Sequence, residues 1–195
     1  MATFSLYSKG ETVTENRTIV KVHGFNVRDG GLSTIDTLKP HFTEFNCLEA
    51  DYGWIGLMGV KVYGKKIARV IAGMTPQNAI GIGHSNGCME LIRACEYGAP
   101  FRHLVLINPA LDNDIKIPLQ VERVDIYHNL TDYTVTAARL YPFSYWGDMG
   151  RVGYKGRDTR AHNHETGLLF GVTGHSGVFL QAERLSDHIK GVIDV

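Results

Sequence analysis

Short β-rich runs alternate with stretches of helical apolar spacing along most of this chain, and that alternation points to a mainly parallel sheet covered by helices. Residues 18–23 form the first such run and end in His23-Gly24-Phe25. A helix is expected over 32–42, where Ser33 or Thr34 is placed to cap its start. Residues 45–52 suit a second strand. From 60 to 74 the apolar positions Val60, Tyr63, Ile67, Val70, Ile71 and Met74 keep helical spacing, so one face packs on the sheet. Residues 78–83 read as a short buried strand, and Cys88, Leu91, Ile92 and Cys95 trace a helix that begins just after Ser85. Further strands are expected at 103–108, stopped by Pro109, and at 121–128. The stretch from 141 to 163 reads as irregular, and 168–172 as the last strand. A closing helix from about 178 buries Ala182, Leu185, Ile189 and Val192. The sequence carries no internal repeat.

Bulk properties narrow the classes further. At 195 residues, the expectation is one domain spanning 1–195 with a sizeable core. Lys and Arg number 20 and Asp and Glu 20, so the formal net charge is zero. A neutral balance gives no electrostatic reason to bind nucleic acid or an anionic membrane. The densest basic stretch, 61–69, is broken by Val62, Tyr63 and Ile67 and reads as the wet face of a helix. No run approaches the ~18 apolar residues that span a bilayer, so no membrane insertion is expected. Residues 1–7 show neither a basic start nor an apolar block, as a secretory signal would. The three cysteines are an odd count, and Cys88 and Cys95 lie seven positions apart on one expected helix. That is roughly 10 Å of rise against the about 7 Å that a disulfide tolerates. A reduced, cytoplasmic protein is the expectation.

The strongest local signal is Gly83-His84-Ser85-Asn86-Gly87, a G-x-S-x-G pentapeptide between a strand and an amphipathic helix. A nucleophile on a sharp strand-to-helix turn takes a strained backbone, and residues two positions either side must be small. The helix that follows points its N-terminus at the site, where amide N–H groups favour developing negative charge.

In this pentapeptide and its context, and in Val22-His23-Gly24-Phe25-Asn26, the chain resembles the α/β-hydrolase superfamily over nearly its whole length. The resemblance implies a minimal α/β-hydrolase fold, a mainly parallel central sheet with helices on both faces. It implies Ser85 as nucleophile, with the backbone N–H groups of Phe25 and Asn86 forming an oxyanion hole. Removal of one such donor typically costs roughly 3–4 kcal/mol of barrier lowering. The superfamily order of Ser, acid, His places Asp132 as the acid, just past an expected strand, and His175 as the base before the closing helix. Asp112 and Asp114 follow the preceding strand and stand as alternative acids.

Other residues bear on the site less directly. His23 reads as an anchor of the oxyanion turn, and His84 as a pocket-lining or packing residue. Asn26, Trp54 and Trp146 are candidate substrate-binding side chains, with core packing as the competing reading for the aromatics. His162-Asn-His164-Glu165 has the spacing to put two imidazoles on one face of a strand, but a zinc site needs three or four ligands. A polar loop is the expectation there, with no metal and no cofactor. The leading function is hydrolysis of a small ester, thioester or amide substrate through an acyl-enzyme. Acyl transfer by the same residues and a non-catalytic hydrolase-like binding module are the alternatives.

Overall fold

Seven strands in the order β1-β3-β2-β4-β5-β6-β7 form one sheet in the computed structural model, which describes residues 5–6, 17–24, 31–50, 52, 57–139 and 146–194. The strands are β1 (Ser5–Leu6), β2 (Thr18–Val22), β3 (Asn46–Ala50), β4 (Ala79–His84), β5 (Phe101–Ile107), β6 (Arg123–His128) and β7 (Ala161–Glu165). β1 pairs antiparallel with β3, and every other pairing is parallel. The sheet is therefore mainly parallel, with its carboxyl ends gathered along one rim.

Alternation along the strands feeds two apolar cores, one on each face. Val20, Val22, Leu104 and Leu106 point to the side covered by α1 (Leu57–Met74) and α2 (Asn86–Glu96). Ile19, Ile82, Val105 and Ile107 point to the other. That second side is covered by a 3₁₀ helix (Ile35–His41), another (Gly177–Gln181) and α6 (Ala182–Ile193). Leu185 and Ile189 of α6 are fully buried, as the spacing of the closing segment predicts. The helix expected at 32–42 is the shorter 3₁₀ turn, and Thr34 Oγ1 bonds Gly31 O instead of capping it. Cys47, Cys88 and Cys95 are all free thiols.

The chain departs from the expected elements after residue 140. The strand at the sheet edge is β7, so His162 and His164 lie in a strand and not in a loop. After β6 comes α3 (Tyr133–Arg139), and the stretch read as irregular also contains α4 (Met149–Val152). The last strand expected at 168–172 is absent: residues 168–170 belong to α5 (Thr166–Phe170), and 171–172 follow its end. The Glu165 carboxylate caps α5 by accepting from Gly167 N and Leu168 N, and Leu168 faces solvent. An apolar pair in a short segment mimicked a strand that the helix cap overrides.

Two ionic clusters are enclosed by the fold. Lys21 on β2 is buried and meets Asp36 at 2.7 Å and Glu49 at 3.0 Å. Asp125 on β6, fully buried, accepts from His103 Nε2 and His164 Nε2, both at 2.7 Å, and from Arg123 Nε at 2.7 Å. Tyr127 stacks on His164 and is hydrogen-bonded to His188 Nδ1 on α6 at 2.7 Å. Burial alone would raise the Asp125 carboxyl, but the bonds from His103, His164 and Arg123 outweigh it and hold the group far below the usual carboxylate range.

Asp125→Asn should cost about 3 kcal/mol of stability at pH 7, because it removes the carboxylate shared by His103, His164 and Arg123. Asp125 ionises more readily folded than unfolded, so its contribution is complete above about pH 5 and shrinks as the pH falls. Urea unfolding of both proteins between pH 7 and pH 3 checks this; a gap that stays constant with pH would contradict it.

Candidate active site

Ser85 sits where β4 gives way to α2, at the carboxyl rim of the sheet. Its backbone has φ 55 and ψ −120, a conformation that L-residues rarely adopt and that costs of order 1–3 kcal/mol. Neighbouring strands hold the turn: Ser85 N donates to Ile107 O at 3.0 Å, and Ser85 O accepts from Cys88 N and Ala110 N, each at 3.2 Å. A side chain at position 83 would put a Cβ 2.9 Å from Cys88 N, and one at 87 would collide with Val22 O and His23 O. The two glycines let α2 press onto β4 and β2.

Asp132 and His175 come together from 43 residues apart, with Asp132 Oδ2 2.7 Å from His175 Nδ1. The carboxylate is fully buried, while the imidazole keeps 15% of its side-chain surface. Asn108 Nδ2 donates to the same Oδ2 at 3.1 Å, and Thr134 N and Val135 N donate to Oδ1 at 3.1 and 3.3 Å. Four donors thus fix the orientation of Asp132, and its bond to Nδ1 leaves Nε2 of His175 as the nitrogen available for proton transfer.

A second set of bonds ties the loop before His175 to the loop that carries Asp132. Asn129, buried at the end of β6, donates through Nδ2 to Val172 O at 3.0 Å and to Thr166 Oγ1 at 2.9 Å. Its Oδ1 accepts from Thr131 N and Thr131 Oγ1. Thr131 Oγ1 in turn accepts from Gly174 N at 2.8 Å. Among the described residues no hydrogen bond joins Ser85 Oγ to His175, and the hydroxyl is not engaged as a helix cap.

Around the serine turn lie three further aromatic or imidazole groups. His84 is buried, its Nε2 3.4 Å from His175 O and its ring centroid 4.9 Å from that of His175. Burial, with the nearby His175 and His23, pushes the His84 imidazole down to about 3. Trp146 Nε1 donates to Asn86 Oδ1 at 2.9 Å. Tyr52 Oη donates to His23 O at 2.6 Å and Gly24 O at 2.9 Å, holding the chain as it leaves β2.

No family model matches the sequence, and no curated protein matches it either. Solved structures do match. The mouse alpha/beta hydrolase domain-containing protein 10 superposes with a TM-score of 0.60 at 14% identity, over 99% of each chain. Carboxylesterase CesB (YbfK) from Bacillus subtilis gives 0.51 at 10% identity, over 90% of this chain and 82% of that one. Aspergillus fumigatus lipase B gives 0.57 at 11% identity over 84% of this chain, which spans about half, 49%, of the lipase. This is the α/β-hydrolase fold.

Within the α/β-hydrolase fold the sequence-derived residues fall as follows. Ser85, Asn86, Asp132, His175 and Trp146 gather at the carboxyl rim. Phe25, Asn26 and Trp54 lie outside the described residues. Asp112 and Asp114 are exposed, and the carboxylate bonded to His175 is that of Asp132. Sequence assigns no role to Asn108, Asn129 or Thr131. Asn108 follows a strand with φ 43, and only its place beside Asp132 distinguishes it from any turn asparagine. No group of three or more His, Cys, Asp or Glu among the described residues is arranged to hold a metal ion.

Strain at position 85 predicts that Ser85→Gly unfolds at higher denaturant than Ser85→Ala, by about 1 kcal/mol, since glycine accepts a positive φ without a clash. Equal stability of the two variants in urea would show that the turn stores no strain.

Proposed function

We propose that this chain is a serine hydrolase that cleaves a carboxylic ester, or a thioester or amide, through an acyl-enzyme on Ser85. The observation that carries this reading is the Asp132–His175 bond at the same sheet rim as a serine held at φ 55. In the proposed reaction His175 Nε2 takes the Ser85 proton as Oγ attacks the substrate carbonyl. Asp132 fixes the imidazole tautomer and stabilises the imidazolium. The amides of Asn86 and Phe25 hold the tetrahedral oxyanion. His175 then protonates the leaving alcohol, thiol or amine, and a water it deprotonates releases the acid and restores Ser85. The Oγ–Nε2 hydrogen bond has to form for this transfer, and such bonds commonly tighten only with substrate present. The neighbours named as an esterase and a lipase favour ester chemistry.

A fluorophosphonate probe should label the wild-type chain, and Ser85→Ala should abolish labelling and lower p-nitrophenyl acetate turnover by roughly 10⁴ or more, since such residues act as a unit. Asp132→Asn should lose about 10⁴ as well, because the wrong tautomer would be held. Undiminished labelling of Ser85→Ala would refute the nucleophile assignment; near-normal turnover by Asp132→Asn would refute the acid.

A further inference from the structure

His84 is a buried imidazole at this rim that the proposed reaction does not use. We propose that His84 is a positioning residue whose imidazole, bonded to the His175 carbonyl, keeps the base loop in register with the Ser85 turn, an inference that rests on the serine-hydrolase reading.

Its placement supports this role. As the last residue of β4, His84 is covalently next to Ser85 and shares the rigidity of the central strand, which is paired on both sides with β2 and β5. The base loop has no such support of its own. Gly174 has φ 77 with open space where a Cβ would lie, and Gly177 follows two residues after His175. Among the described residues, the hydrogen bonds from 172–175 to the rest of the chain run to Asn129, Thr131 and Asp132 on one side. On the nucleophile side they run to His84 alone. The Phe179 and His84 rings also meet in a T-shaped contact, with centroids 4.9 Å apart and an interplanar angle of 86°, which ties in the segment after His175.

The chemistry of imidazole suits the task. To reach the His175 carbonyl, Nε2 must carry the proton, so Nδ1 keeps a lone pair, and among the described residues buried Nδ1 has no partner. Burial keeps the ring neutral throughout the working pH range. Its bond therefore does not switch off with pH, and it adds no positive charge 4.9 Å from an imidazole that must become charged during catalysis. A charged lysine or arginine there would oppose the reaction. A leucine would leave the carbonyl bond unmade.

Three variants test the proposal. His84→Phe keeps the ring and loses the donor. His84→Gln places an amide nitrogen near the Nε2 position, and His84→Asn reaches only as far as Nδ1. For His84→Phe, the fluorophosphonate labelling rate and p-nitrophenyl acetate kcat should fall roughly ten- to hundredfold with KM changed less than about twofold, the scale of an ångström of misplacement. His84→Gln should recover most of that loss, and His84→Asn should not. The low-field NMR signal of the His175 Nδ1 proton should persist in all three, showing an intact Asp132–His175 pair that is out of register with Ser85. Wild-type rates in His84→Phe, or equal losses in the Gln and Asn variants, would overturn the proposal. Should His84→Phe fail to fold, the Gln and Asn comparison decides alone. A wild-type chain that takes no label would overturn the hydrolase reading and this role with it, whereas a labelled wild type matched by its variants overturns this role only.

Discussion

The close approach of α2 to strands β2 and β4 sets the geometry of everything at the sheet rim. It is possible because positions 83 and 87 carry no side chain, and a Cβ at either would meet backbone atoms of the facing element. Once the helix is that near, the connecting residue has little choice of conformation, and Ser85 takes its φ of 55 under backbone bonds from Ile107, Cys88 and Ala110. Packing of Leu91, Cys88 and Ile92 against the sheet supplies the stabilisation that offsets the strain. A locally unfavourable turn is thus enforced by a globally favourable helix–sheet contact.

Parallel pairing extends the consequences across the sheet. β2, β4, β5, β6 and β7 all end at the same rim, so the residues that follow them are delivered side by side although they are far apart in the chain. Asn108 after β5 reaches Asp132 after β6, and Asn129 reaches Thr166 after β7. These polar contacts do not add much to stability individually. Their role is to give buried donors and acceptors one satisfied arrangement, which specifies where the loops lie. His84 continues the same logic, linking the end of β4 to the loop that carries His175.

Identities of 10% and 14% to structures that superpose over most of this chain show how little of the fold depends on particular side chains. Apolar alternation on the strands and apolar stripes on the helices are enough to choose the layered architecture, and many residue choices satisfy them. The inner polar clusters are different. Lys21 with Asp36 and Glu49, and Asp125 with its two histidines and Arg123, depend on particular partners contributed by separate elements.

What the sequence settles alone is what short-range pattern encodes. Alternating strand and helix periods predict the mainly parallel sheet, the glycine spacing around Ser85 predicts a tight strand-to-helix turn, and the order of Ser85, Asp132 and His175 nominates the site. Each of these signals spans a few residues or a chain order, so it survives without coordinates. Only tertiary structure shows which of Asp132, Asp112 and Asp114 meets His175 Nδ1, and the contact is made by Asp132. Tertiary structure also decided that polar 161–165 is a strand and that 166–170 is a helix. β7 is an edge whose His164 answers a buried aspartate on the neighbouring strand, and α5 starts from a carboxylate cap too local and too short to show a period. Burial and hydrogen-bond partnership across distant segments are properties of the assembled sheet, and no window of sequence contains both members of such a pair.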